Sequence, residues 1–326
     1  MGFFDWVKRL FGIQTEPVNP FAEVDFRSRS QPKNDPEKPP LDLMELSRRL
    51  ARSVMDIRMT TVSYQEFTIP KRNGDRRTIL APGAKLKDMQ ERILHRLLGG
   101  LKSHPAATGF ERGKSIVTNA LPHVGARVVV RMDIKDFFPS TAAFRVGAYF
   151  RGIGWEEEAV ELLVRLTAWE GGLPQGAPTS PRLSNLLNYM MDARLDGLAG
   201  YLGGAYTRYA DDITFSFPTN DLGVEKVAII STGQIVDEYG YRLHRRRKLS
   251  IRREHQQQLV TGLVVNEKPS LPRKMRRKLR AIRHHIETGR PATMTPEQLA
   301  GWDALEQMIR TQRQRSDGVQ SGDEPV

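Results

Sequence analysis

Asp211 and Asp212 stand side by side in YTRYADDITFSF (206–217), between two runs of strand-forming residues. Adjacent carboxylates repel, and a strand end has no structural need of such a pair. A divalent cation resolves the repulsion, because Mg²⁺ is a hard ion that takes oxygen ligands and keeps several waters. Two such ions about 4 Å apart can activate a hydroxyl and stabilise a departing pyrophosphate in an in-line displacement. That chemistry needs a third carboxylate from a neighbouring strand. Asp133 supplies it, at the end of the β-branched run in ARVVVRMDIKDFFPS (126–140). Asp136 lies three residues past the strand end. An Asp-Asp pair alone commonly marks a turn; combined with Asp133 after a buried strand it is far more specific.

The elements that must hold these acids are legible as periodicities. Residues 206–217 read as a hairpin, with Ile213, Phe215 and Phe217 alternating with Thr214 and Ser216 as in a half-buried strand. Leu43, Leu46, Leu50, Val54 and Ile57 keep helical spacing, as do Leu86, Met89, Ile93, Leu97 and Leu101. YQEFTIPKRNGDRRTILAP reads as two strands around Asn73-Gly74. Helical patterns cover about 156–169, 182–198 and 224–239, with Ser180 as N-cap of the second and Pro181 its first residue. LVTGLVV (259–265) reads as a short strand. PRKMRRKLRAIRHHIETG is a helix with Met275, Leu279, Ile282 and Ile286 inward, and Thr295, Pro296 and Gln298 open a last helix with a capping box.

The ends differ in kind. Residues 1–12 form an amphipathic helix with Phe3, Phe4, Val7, Leu10 and Phe11 on one side, and residues 14–40, with six prolines, read as a linker. Residues 313–326 read as a frayed tail. The implied division is 1–40 amphipathic segment and linker, 41–125, 126–262, a basic helical unit at 263–312, and the tail.

The formal charge is +12, and residues 241–290 hold 16 Lys/Arg against 3 Asp/Glu, leaving the rest of the chain near neutrality. So concentrated a basic block calls for a polyanion, most simply nucleic acid. Cysteine is absent, which excludes disulfides and Cys-ligated zinc and suits a reducing cytoplasm. No apolar run approaches the length of a membrane span, and no signal-peptide cleavage site is apparent, so no membrane association is expected.

With these residues in view, the chain resembles a reverse transcriptase. Tyr-Ala-Asp-Asp, MDIKDFFPS and GLPQGAPTSPRLSN stand in the family's order and spacing over roughly residues 60–265. The resemblance implies an α+β right-hand polymerase with fingers, an antiparallel palm sheet backed by helices, and a helical thumb. It implies that Asp133, Asp211 and Asp212 hold two Mg²⁺ ions, with the Ile134 carbonyl as a further ligand. Phe138 falls where the family places a bulky gate against a ribose 2′-hydroxyl. Gln175 would contact the incoming nucleotide, and Lys71 and Arg77 would clasp its triphosphate, with Arg76 replacing Arg77 if the register shifts by one. Lys248 or Arg247 would fill a basic position after the hairpin that the family uses near pyrophosphate.

Two shorter motifs resemble the bacterial retron branch: NALPH (119–123), with Asn119 and His123, and VTG (260–262). Gly301-Trp302 fits that branch's closing helix. This resemblance implies an enzyme that binds its own structured non-coding RNA, primes from a guanosine 2′-hydroxyl, and copies part of that RNA from dNTPs into multicopy single-stranded DNA. It also implies antiphage defence with a separate effector protein, and removal of template by a host ribonuclease H. Asn119, His123 and the exposed Arg273, Lys274, Arg276, Arg277, Lys278, Arg280 and Arg283 would bind the RNA, largely by shape and charge. Other readings are a group II intron-like or defence-associated reverse transcriptase, a non-catalytic RNA-binding scaffold, and a nucleotide cyclase, whose Gly-Gly-(Asp/Glu)-Glu-Phe hairpin is missing here.

Overall fold

The computed structural model describes residues 40–70, 74, 76–244 and 248–320. The amphipathic segment and nearly all of the linker expected at 1–40 lie outside the described residues, as do Lys71, Arg247 and residues 321–326.

The first helical pattern is two short helices, α1 (Leu43–Leu50) and α2 (Val54–Met59). Ala51 adopts the left-handed region at φ 49°, and a reciprocal cap between Ser53 and Asp56 restarts the chain. The hairpin β1 (Tyr64–Pro70) and β2 (Arg76–Pro82) follows, pairing Ile69 with Arg77. α3 (Ala84–Arg92) runs on into a π-helical turn, Ile93–Leu98. α4 (Ile116–Ala120) precedes β3 (Val128–Asp133), and α5 (Phe137–Ser140), α6 (Ala143–Gly152) and α7 (Glu157–Thr167) come next.

The helix expected over 182–198 is broken into α8 (Ser180–Leu187) and α9 (Tyr189–Tyr201). Asn188 makes the break: its side chain accepts from Arg145 and donates to Ser184 O and to the Tyr241 hydroxyl. Ser180 lies inside α8 and its hydroxyl donates to Pro174 O, so Thr179, not Ser180, occupies the capping position.

The remaining elements are β4 (Ala205–Tyr209), β5 (Asp212–Phe217), α10 (Leu222–Glu238), β6 (Ser250–Arg253), β7 (Leu259–Val260), β8 (Leu263–Val264), α11 (Arg273–Glu287) and α12 (Pro296–Gln320). LVTGLVV is thus a small hairpin: Thr261 and Gly262 both have positive φ, the signature of a type I′ turn. α12 carries the expected reciprocal Thr295–Gln298 cap and runs to Gln320, so the described part of the tail is helical, as its Gln and Arg content allows.

The architecture is α+β around an antiparallel sheet of order β4-β5-β3-β6. β3 is central and buried on both faces, which explains its near-continuous apolar run. Val128, Val130 and Met132 pack with Ile213, Phe215 and Phe217 against Met191 and Leu195 of α9 and Val236 of α10. Val129, on the opposite face, joins Val117, Ala120, Val260, Leu263, Leu279 and Ile282. Packing therefore ignores the linear divisions at 125 and 262: α4 and the small hairpin share a core with the basic helix. A separate core joins Leu46, Leu86 and Ile93 to Phe150, Leu163 and Leu183. Among the described residues no helix is long and apolar enough to cross a membrane.

β5 departs from its half-buried expectation, since Thr214 and Ser216 are as buried as their apolar neighbours. That polar face is covered by the segment carrying Asn119 and His123.

Candidate active site

Strand alternation assigns the sheet's two faces. Residues 128, 130 and 132 of β3 turn to the helices, so Arg131 and Asp133 turn the other way. Asp133 stands directly across from Asp212 in the β3–β5 register, and Ile134 N donates to Asp211 O at 2.9 Å. The three acids, far apart in the chain, thereby meet at one sheet end. Asp136 does not join them; it is exposed, with Lys135 Nζ 3.9 Å from its carboxylate.

Tyr209 pairs with Asp212, leaving Ala210 and Asp211 as a two-residue loop. Ala210 has φ 57°, the left-handed conformation that glycine usually supplies at such a hairpin. Arg208 holds it there. Its Nη1 donates to Ala210 O at 3.0 Å, while Nε and Nη2 grip Asp192 at 2.7 and 2.6 Å. Both side chains are fully buried, and the Tyr206 hydroxyl also donates to Asp192.

The electrostatics are those of acids awaiting positive charge. Burial, and then the charges of Asp133 and Asp212, push the Asp211 carboxyl up to about 6. Burial also raises Asp133, against the pull of Lys248. Lys248 Nζ lies 2.6 Å from Asp133 Oδ1, His244 Nε2 lies 3.5 Å from the same oxygen, and Arg131 Nη2 lies 3.2 Å from Asp212 Oδ1. Among the described residues no three acidic or imidazole groups stand as a ready metal cage. The donor set nevertheless suits Mg²⁺: three hard carboxylates share one sheet end, with burial and then mutual repulsion lifting Asp211. Among the described residues no hydrogen-bond donor reaches the Ile134 carbonyl, whereas Asp133 O accepts from His244 N.

Leu173 N donates to Phe138 O, which ties the loop carrying Gln175 to Phe138. Gly176, at φ 129°, sits so close to β2 that a Cβ would lie 2.6 Å from Leu80 O, and Leu80 N donates to Gln175 O. This contact seats Gln175 beside the β1–β2 hairpin. Ile79 presses on Gly176, and Arg77 shares its face of β2 while Arg76 lies on the other. Phe138 is partly buried, its ring 5.4 Å from that of Phe137.

Asn119 and His123 are corrected by the structure: neither can meet RNA, because both are buried. Asn119 Oδ1 accepts from the Thr108 hydroxyl at 2.6 Å. His123 Nδ1 and Nε2 lie 2.7 and 2.8 Å from the hydroxyls of Ser216 and Thr207, bridging β5 and β4. Burial pushes its pKa down to about 3, so the ring is neutral, one nitrogen donating and the other accepting. The Thr261 hydroxyl of the VTG turn donates to Ile116 O, so both short motifs brace one segment behind the catalytic hairpin.

On α11, Arg273, Lys274, Arg276, Arg277, Lys278 and Arg280 are exposed. Arg283 belongs with α12 instead, paired with Asp303 and with Glu306 at 2.6 Å.

The buried Arg208–Asp192 pair is what sequence reading missed. A lone arginine in the otherwise uncharged strand β4 was the available signal, since a buried guanidinium demands an acid.

Residues 69–248 match the family described as reverse transcriptase (RNA-dependent DNA polymerase). The chain is 40% identical over 280 residues to the retron Mx162 reverse transcriptase of Myxococcus xanthus, covering 76% of this chain and 58% of that protein. It is 34% identical over 268 residues to the retron Ec86 reverse transcriptase of Escherichia coli, covering 80% of this chain and 82% of that protein. The chain thus spans little more than half of the first relative but most of the second. Among solved structures, apo telomerase from Candida tropicalis, truncated from its C-terminal domain, matches with a TM-score of 0.46 at 13% identity, over 66% of this chain and 55% of that one.

Proposed function

The chain belongs to the reverse transcriptase family, and we propose from that premise that it is an RNA-directed DNA polymerase of the retron type. The observation that carries the proposal is Asp133 facing Asp212 across β3–β5 with Asp211 alongside. Asp133, Asp211 and Asp212, with the Ile134 carbonyl, would hold two Mg²⁺ ions. Such ions supply an activated 3′-hydroxyl and charge neutralisation at the leaving pyrophosphate. The chain's own residues do the positioning. Arg77 and Lys71 clasp the triphosphate, Gln175 abuts the nucleotide from its loop on β2, and the Phe138 ring occupies the space a ribose 2′-hydroxyl would need. Lys248 sits against Asp133, close to where charge departs.

The exposed cations of α11 would track phosphates of the RNA, which is recognised by shape as well as charge. In the retron reading, that RNA is a structured non-coding transcript serving as both primer, through a guanosine 2′-hydroxyl, and template. Part of it becomes multicopy single-stranded DNA, with a host ribonuclease H removing template and a separate effector protein acting in antiphage defence in the cytoplasm. Sequencing the nucleic acid that copurifies with the protein tests this directly. A discrete RNA joined to short DNA is expected; intron RNA would redirect the assignment to a group II intron-like enzyme, and random RNA would contradict it.

A further inference from the structure

Segment Ala106–Gly109 runs along the open edge of β4. Arg208 N donates to Ala106 O, and Thr108 N donates to Arg208 O, both at 2.9 Å. Gly109 then presses on the catalytic turn so closely that a Cβ would lie 2.7 Å from Ala210 N. The next residue, Phe110, has φ 63°. A bulky side chain is strained in that region, where glycine or asparagine would satisfy the same turn more easily.

The strain is held from both sides. Asn185, fully buried, donates through Nδ2 to Gly109 O at 2.7 Å and to Glu111 Oε1 at 2.8 Å. Arg182 pairs with Glu111. Clamped between, the Phe110 ring projects over the site, 49% exposed. Its centroid is 6.3 Å from that of Phe138 and 6.1 Å from that of Tyr209, tilted against both. Those separations are in the range of favourable aromatic packing. Strain of this kind persists where surrounding contacts over-determine it, and it collects at functional sites.

We infer that Phe110 is a positioning residue for sugar discrimination: its ring supports Phe138 from the open side and so denies space to a ribose 2′-hydroxyl. This rests on the polymerase reading and on Phe138 as gate. Phe138 borders the helix-backed core on its other flank through Phe137, so Phe110 closes the side on which the ring could swing away.

The test is single-nucleotide extension of a DNA primer on an RNA template by the full chain, comparing kcat/KM for dGTP and GTP. Phe110→Gly, which also relieves the backbone strain, should lower the dGTP/GTP ratio about tenfold, the scale of one lost contact in a pocket, mainly through a lower KM for GTP. Phe110→Tyr should restore the ratio. Phe138→Ala should lower it further, and adding Phe110→Gly to Phe138→Ala should change it no more, because one ring acts through the other. A Phe110→Gly ratio within twofold of wild type beside a sensitive Phe138→Ala overturns this inference alone. So does an equal loss for both nucleotides, which would mark Phe110 as a template platform, or multiplicative effects in the double variant. An unchanged ratio in Phe138→Ala, or no incorporation by wild type, overturns the underlying reading and this inference with it.

Discussion

Replacing Arg208 by Met should destabilise the protein far more than its place behind the site suggests. The guanidinium makes two charge-assisted hydrogen bonds to Asp192 and one to Ala210 O. Without it, the Asp192 carboxylate keeps only the Tyr206 hydroxyl among the described residues, at a position with no solvent access. Leaving one member of a buried ion pair uncompensated costs about 3–5 kcal/mol. Asp192→Leu should cost a similar amount by stranding the guanidinium. At roughly 2 °C per kcal/mol for a chain of this size, each single change lowers Tm by about 6–10 °C. The double change Asp192→Leu/Arg208→Met removes both charges and leaves the Tyr206 hydroxyl and Ala210 O to be satisfied, at about 1–3 kcal/mol. Thermal unfolding of the four proteins reads this cycle. Single variants near wild type, or a double variant as unstable as the two effects added, would refute a tightly coupled buried pair.

His123 should make the fold acid-sensitive. Its pKa is about 3 when folded and near 6.5 when free, so the unfolded state takes up the proton first and stability falls below pH 6.5. Between pH 7 and 5 the loss is about 2 kcal/mol. His123→Gln should flatten the Tm difference between those pH values relative to wild type, and an unchanged difference would show that the ring is not buried neutral. The α11 cations should set the salt dependence of RNA binding. Changing Arg276, Lys278 and Arg280 to Gln should reduce the slope of log K against log salt by about 2–3, at 0.7–0.9 per lost phosphate contact. A change below 1 would put the RNA elsewhere.

The acids were legible because their signals are local. A β-branched run, an alternating hairpin and an Asp at each strand end need no tertiary knowledge, and the β3–β5 register does the rest. The capping box at Thr295 and the basic face of α11 were legible for the same reason. Asn119 and His123 misled because polar residues ordinarily face water. Their burial depends on Thr207 and Ser216, whose hydroxyl-bearing face of the hairpin needs hydrogen-bonding partners once covered. Arg208 and Asp192 lie on different elements, and only the packing of α9 under β4 brings them together. Phe110 carried no periodic signal at all; its meaning comes from the glycine before it and the backbone it touches.

The central claim is that Asp133, Asp211 and Asp212 act as one metal-binding set in DNA synthesis. The most direct measurement is Mg²⁺-dependent dNTP incorporation on an RNA template by wild type and by Asp133→Asn, Asp211→Asn and Asp212→Asn, each verified as folded. The account predicts a loss on the order of a thousandfold or more for Asp133 and Asp211, corresponding to about 4 kcal/mol of transition-state stabilisation, and a severe loss for Asp212. Incorporation by Asp211→Asn equal to that of wild type would contradict it.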